Sequence, residues 1–297
     1  MIWLNGRLVS EAEGSASPRD RGLLYGDGLF ETMLAREGRV FRLGAHLERL
    51  ARGCAQLSIR LPFAGQELAE AVFATLKSYG PAQASVRVTV TRGVGGRRLD
   101  PEEHGEPTVI VQAQAFPGYP PETYERGLRV TLADIRRNEH SPTSRLKTLN
   151  YLDNVLARSA ARRAGADDAL LLNTAGQLAC LTAANVFVVL GREVYTPPPS
   201  CGVLPGITRQ CVLGLLHEQG PKAREEGLGA GADGLRINGE TVPWGEVSEA
   251  WATNSLMGVA PVVEVAGRRV GTGAPGPLAG RLRRQYQLLA QTEGESA

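Results

Sequence analysis

Lysine is nearly missing from this chain: of 33 basic residues only Lys77, Lys147 and Lys222 are lysine, and all the others are arginine. Positive charge is also offset almost completely. The formal net charge is +2, with 31 acidic residues spread among the basic ones. With no basic run and no interleaved aromatics, the sequence offers no surface for nucleic acid or an anionic membrane, so the expected partners are small molecules. Cysteine is sparse too: Cys54, Cys180, Cys201 and Cys211 form no CxxC pair, which argues against a zinc site or a disulfide framework. No apolar run approaches the length of a membrane span, and Met1–Arg7 lacks the charged-then-apolar pattern of a secretory signal. The reading is a cytoplasmic globular protein without a metal.

What is present is enough apolar residue, 42% of 297, for two moderate cores. Short strands with glycine turns open the chain: Ile2–Asn5 before Asn5-Gly6, then Leu29–Ala35 and Val40–Leu43 about Glu37-Gly38. Leu43, Leu47, Leu50, Cys54 and Leu57 follow helical spacing, a second helix is predicted over Leu68–Leu76, and strands return at Ser85–Thr91 and Thr108–Ala113. Phe116-Pro117-Gly118-Tyr119-Pro120-Pro121 then punctuates the chain. The division expected is an N-terminal domain over 1–115, a linker over 116–122 and a C-terminal domain over 123–297. In the latter, strands are predicted at Leu128–Ala133, Ala169–Leu172, Val186–Leu190 and Val194–Thr196, and a hairpin at Val262–Val270. Helices are predicted at Tyr151–Arg163, Ile207–Glu218 and Leu278–Ala290, with Lys222–Gly234 as a glycine-rich mobile loop. Antiparallel runs with interspersed helices give the fold class α+β, two domains, not a doubly wound parallel sheet.

Lys147 can do something that arginine cannot. A guanidinium stays protonated, whereas a desolvated primary amine loses its proton and condenses with an aldehyde. It stands in Ser144-Arg145-Leu146-Lys147-Thr148-Leu149-Asn150-Tyr151, between a Pro142-containing loop and a predicted helix. Gly206-Ile207-Thr208 at another helix start offers free N–H groups, a hydroxyl and the positive end of a dipole, the arrangement that holds phosphate; a plain N-cap has the same pattern.

These segments occur in one order with Arg21 to Thr32 (RGLLYGDGLFET), His46-Leu47-Glu48-Arg49, Arg92 to Arg97 (RGVGGR), Thr182 to Phe187 (TAANVF) and Thr253-Asn254-Ser255-Leu256. In that order and spacing the chain resembles the class IV, or fold type IV, pyridoxal-phosphate enzymes over nearly its whole length. That family includes branched-chain aminotransferases, D-amino-acid aminotransferases and 4-amino-4-deoxychorismate lyases. The resemblance implies two α/β domains, a smaller N-terminal antiparallel-sheet domain and a larger C-terminal pseudo-barrel domain that binds the cofactor, in a homodimer. It implies that Lys147 forms the Schiff base with pyridoxal 5'-phosphate and shuttles the α-proton of an amino substrate. Arg49, Ile207, Thr208, Asn254 and Ser255 would hold the phosphate, Tyr151 would reach the cofactor's phenolic oxygen, and Phe30 and Arg97 would face substrate. Asp27 and Glu31 read instead as organisers of backbone amides around a glycine turn.

One position departs from the family. Five residues before Asn185, where the family carries a glutamate against the pyridine nitrogen, this chain has Cys180. A neutral thiol gives a weak hydrogen bond and a less protonated ring; a remote acid, a water, or ionisation of Cys180 are the alternatives. Asn254-Ser255-Leu256-Met257 resembles the Asn-x-Leu-Met of the lyases, and Arg92 to Arg97 resembles their RGxGxRGY segment, with Arg98 and Leu99 in place of its last two residues. The first expectation is therefore conversion of 4-amino-4-deoxychorismate to 4-aminobenzoate and pyruvate. Lys147 to Leu152 equally suits an aminotransferase for a branched-chain or D-amino acid or a small amine, and a catalytically impaired cofactor-binding protein is the third reading.

Overall fold

In a computed structural model of the chain, residues 1–80, 82–96, 98–100 and 105–296 are described. Two compact units emerge, and neither is one continuous stretch of chain. The first comprises Met1–Pro117, Leu146–Asn150 and Leu289–Ala297; the second comprises Gly118–Arg145 and Tyr151–Leu288. The segment that carries Lys147 therefore clusters with the N-terminal residues, although it follows the Pro-rich punctuation by some thirty positions.

The first unit contains β1 (Ile2–Leu4), β2 (Arg7–Val9), α1 (Arg21–Tyr25), β3 (Gly28–Arg36), β4 (Arg39–Phe41), α2 (Leu43–Gln56), α3 (Gly65–Tyr79), β5 (Gln83–Thr91) and β6 (Thr108–Ala115). Among the described residues its sheet runs β4-β3-β5-β6-β1-β2, all antiparallel, with a short strand Gly294–Glu295 added beside β4. Strict alternation decides which face is covered. In β5, Ala84, Val86, Val88 and Val90 are fully buried while Ser85, Arg87 and Thr89 are partly exposed, the period-two pattern of a strand with one apolar face. Each such valine contributes about 1.5–3 kcal/mol by leaving water. Leu43, Leu47, Leu50 and Cys54 of α2 and Leu68, Val72 and Leu76 of α3 join the same core. β3 pairs with β5 from Gly28↔Thr91 to Arg36↔Gln83 without a break in register.

The second unit contains α4 (Glu122–Glu125), β7 (Leu128–Arg137), α5 (Leu152–Arg163), β8 (Asp168–Asn173), β9 (Leu178–Leu181), β10 (Asn185–Leu190), β11 (Glu193–Thr196), α6 (Ile207–Gln219), β12 (Ala223–Glu225), β13 (Gly229–Ala230), β14 (Gly234–Ile237), β15 (Glu240–Pro243), β16 (Glu249–Asn254), β17 (Gly258–Val265), β18 (Arg268–Arg269) and most of α7 (Pro277–Thr292), whose last turn from Leu289 clusters with the first unit. The path β10-β16-β17-β7-β8-β9 closes on itself because Cys180 of β9 pairs with Asn185 of β10. The result is a six-stranded barrel, with β7 parallel to both neighbours and the remaining pairs antiparallel. All six strands supply the apolar cluster that fills it, among them Val130, Leu170, Leu178, Val186, Ala252 and Val262, with Leu235 and Trp244.

The Lys222–Gly234 segment corrects its reading as a mobile loop. It forms β12, which pairs in parallel with β11, and β13, which opens the three-stranded sheet with β14 and β15. Leu228 between them is 4% exposed. Glycine content disguised these strands, because their partners lie far along the chain and no local pattern announces them.

Candidate active site

Lys147 enters the first unit as a rung on β3. Phe30 N–H donates to the Lys147 carbonyl at 2.9 Å, Leu149 N–H donates to the Gly28 carbonyl at 3.0 Å, and Thr148 bridges Leu29. Gly28 is required for this approach, since a Cβ there would run into the Val90 carbonyl and the Leu149 side chain. The Lys147 ammonium lies 4.2 Å from the centre of the Phe30 ring, and the Arg87 guanidinium lies 3.7 Å from the same centre. Phe30 thus gathers two cations, each attracted by the ring's negative face. Arg87 escaped notice in the sequence because an arginine within Ser85-Val86-Arg87-Val88-Thr89 signals only a polar strand face.

The reverse face of β3 holds Glu31, 1% exposed, below α2. Its carboxylate accepts Arg49 Nε at 2.8 Å and Arg49 Nη2 at 2.7 Å, and His46 Nδ1 lies 2.7 Å from Oε2. Burial works to raise this carboxyl's pKa, and the bonds from Arg49 and His46 reverse that and bring it to about 2. Burial pushes His46 below the ordinary histidine value despite the opposing pull of Glu31. Asp27 likewise accepts Arg21 Nε at 2.9 Å and Arg92 Nε at 2.8 Å. Both acids bind arginine side chains, which corrects their reading as organisers of amides.

In the second unit three cross-strand partners line one face of the barrel wall. Cys180, Asn185 and Thr253 stand opposite one another on β9, β10 and β16, and directly opposed residues share a face. Asn185 donates to the Leu204 carbonyl at 2.9 Å, which fixes the approach to α6. A Cβ on Gly206 would collide with Asn185 Oδ1, so only glycine starts this helix so close to the barrel. The first turn of α6 has no side-chain cap and no acidic residue, leaving the N–H groups and positive dipole end of Ile207 and Thr208 unneutralised within the turn. Thr208 Oγ1 lies 3.2 Å from the Tyr286 hydroxyl.

Cys180 is held as a thiol. Burial pushes it above the ordinary cysteine value, against the opposing field of Arg137. Arg137 is anchored by donating to the Gly202 carbonyl at 3.2 Å and the Ser144 carbonyl at 2.6 Å. Of the alternatives at this position, ionisation of Cys180 is the one that burial opposes.

The remaining candidates distribute as follows. Tyr151 is half-buried and begins α5, its carbonyl accepting Val155 N–H. Asn254 shapes the turn after β16: its Oδ1 accepts Leu256 N–H at 3.1 Å and Met257 N–H at 2.7 Å, and its Nδ2 donates to Ala183 at 3.1 Å. It also lines a cavity of about 310 Å³ with Tyr119, Arg126 and Arg158, apart from Cys180 and Thr208. Ser255 follows within the same turn, partly buried. Arg97 lies outside the described residues.

Residues 28–265 match the family model for amino-transferase class IV. The chain is 34% identical over 289 residues to a Methanocaldococcus jannaschii protein named "Putative branched-chain-amino-acid aminotransferase", covering 96% of this chain and 95% of that one. It is 30% identical over 270 residues to the aminodeoxychorismate lyase of Bacillus subtilis, covering 89% and 86%. A crystal structure of the Escherichia coli branched-chain amino acid aminotransferase superposes with a TM-score of 0.90 at 26% identity, covering 99% and 95%. The chain belongs to the class IV aminotransferase family. Within it, the protein is a pyridoxal-phosphate-dependent enzyme, of the group that spans aminotransferases and aminodeoxychorismate lyases.

The residues present fit that cofactor. Thr253 Oγ1 is buried and has no hydrogen-bond partner among the described residues, a cost a fold avoids unless a ligand supplies the partner. It stands opposite Asn185, the residue that packs on Gly206 at the uncapped start of α6. An anion with several acceptor oxygens suits that cradle.

Proposed function

We propose that this enzyme is a 4-amino-4-deoxychorismate lyase that releases 4-aminobenzoate and pyruvate. The observation that carries the reading is the buried, neutral thiol of Cys180 where the family has a carboxylate. Pyridoxal phosphate, when bound, supplies an electron sink for the substrate's α-carbon. Lys147 provides the amine that carries the cofactor and takes the α-proton. Arg49, Ile207, Thr208, Asn254 and Ser255 would hold the phosphate, and Tyr151 would orient the ring through the cofactor's phenolic oxygen. Cys180, in place of the family's glutamate, would give the ring nitrogen no ionised acid partner. Such a site suits elimination, because aromatisation of the product supplies driving force that reprotonation of a cofactor carbon does not. The lyase-like Asn254-Ser255-Leu256-Met257 turn supports the same choice. Phe30 and Arg97 are assigned to the substrate.

A second reading has its own observation. Arg87 stacked on Phe30, beside the Lys147 ammonium, offers a fixed cation to a substrate carboxylate, which suits an aminotransferase for a branched-chain or D-amino acid, or for a small amine on Lys147 chemistry alone. Pyruvate release from aminodeoxychorismate by the purified holoenzyme tests the first reading; amino-group exchange between amino and oxo acids without pyruvate release would replace it by the second. Lys147→Ala should cut either activity about a thousandfold or more and abolish the visible absorbance of the enzyme-bound cofactor. Bound cofactor that responds to no amine would favour a catalytically impaired binding protein. We further assign a homodimer, on exposed Leu23 and Leu24 of α1 and, in the second unit, exposed Leu152, Val155 and Leu156 of α5. A cytoplasmic location accords with four free thiols.

A further inference from the structure

We infer that Glu31, restrained by His46, is a positioning residue for phosphate binding: it fixes the direction in which Arg49 presents its N–H groups. The inference rests on the reading of Arg49 as a phosphate ligand. His46 and Arg49 are three residues apart on α2, so both face β3 below them. Glu31 receives them from the strand side, with both carboxylate oxygens engaged at 2.7–2.8 Å. All three side chains are largely shielded from water, at 1%, 2% and 10% exposure for Glu31, His46 and Arg49.

The fork is side-on, through Nε and Nη2 of Arg49. A guanidinium carries its five N–H donors in one rigid plane, so gripping it by that edge directs the Nη1–Nη2 edge away from Glu31. Freely rotating, an arginine loses up to about 2 kcal/mol of rotamer entropy when a ligand orders it; here β3 and α2 have already ordered it. Preorganisation of this kind converts directly into affinity.

Charge and direction make opposite predictions for one substitution. Glu31 is itself negative and adjoins the proposed anion ligand, so removing its charge by Glu31→Gln should strengthen phosphate binding if only net charge matters. If positioning matters, the same change should weaken it. Pyridoxal, which lacks the phosphate, supplies the control, because a general disturbance of the fold lowers affinity for pyridoxal and pyridoxal phosphate alike.

The experiment measures dissociation constants of both compounds for the wild-type chain, Glu31→Gln and His46→Gln, with circular dichroism confirming the fold. His46→Gln carries the test should Glu31→Gln fail to fold, since it leaves the Arg49–Glu31 fork in place and removes only its restraint. The expected result is a preference for pyridoxal phosphate over pyridoxal that falls about tenfold in Glu31→Gln, equivalent to 1.4 kcal/mol, and about threefold in His46→Gln. An unchanged or increased preference in both variants overturns the inference alone. A wild-type chain that binds both compounds equally overturns the reading of Arg49 and the inference with it.

Discussion

In the proposed site, a thiol at position 180 changes what the ring nitrogen of the cofactor can lean on. Burial keeps Cys180 protonated and Arg137 adds a permanent positive field, so under the proposed placement of the cofactor neither favours a proton on that nitrogen. Cys180→Glu should restore the family's acid. The expected outcome is a rise of about tenfold in amino-group exchange relative to pyruvate release, with the nitrogen-15 resonance of labelled cofactor moving toward the protonated form; an unmoved resonance would show that Cys180 is not the residue in question. At this scale the sequence was informative where chemistry singles out a residue type. Lys147 drew attention because arginine cannot replace an amine. Arg87 did not, because nothing in an alternating strand tells which ring its guanidinium covers, and the role of Glu31 was misread because its partners lie fifteen and eighteen residues away on α2.

Elements with one apolar face could be read with little error. The Leu43, Leu47, Leu50 and Cys54 spacing predicts α2, which spans Leu43–Gln56, and the alternation in β5 predicts its buried valines. Strands such as β9 and β13 could not be read, since they are short and draw their hydrogen bonds from distant partners. The pairing of α2 with β3 also has a pH signature. The Glu31 carboxyl is depressed to about 2 from an ordinary 4.5, so its contribution is present above about pH 4.5 and is lost as pH falls toward 2. His46 is depressed below its ordinary 6.5; the unfolded chain therefore takes up that proton first, and this contribution too is lost as pH falls below 6.5. Acid melting curves should show a midpoint declining from about pH 6.5 downward, less steeply in His46→Gln. A wild-type midpoint flat between pH 6.5 and 4.5 would contradict the burial of a neutral His46.

The whole molecule reveals what no local pattern carries: a barrel that closes through a single Cys180↔Asn185 pairing and compact units that interrupt the order of the chain. The exposed leucines on α1 and α5 lead to an expected particle mass twice that of the 31.7 kDa chain in sedimentation at micromolar concentration. Leu24→Glu with Leu156→Glu should return it to one chain's mass, and a monomeric wild type would remove the proposal.

Lys147 is anchored by two rungs shared with β3, Phe30 N–H to Lys147 and Leu149 N–H to Gly28, whereas α5 a few residues later belongs to the barrel unit. Amide exchange should register that boundary. Phe30 and Leu149 should exchange at the rate of their neighbours in β3 and β5, and amides within α5 should follow β7 and β8, so a single step in protection falls between residues 149 and 155. On heating, the Lys147 amine would then lose its place when the first unit's sheet opens, so that the opening of this sheet sets the longest time activity can last, even where the barrel survives it.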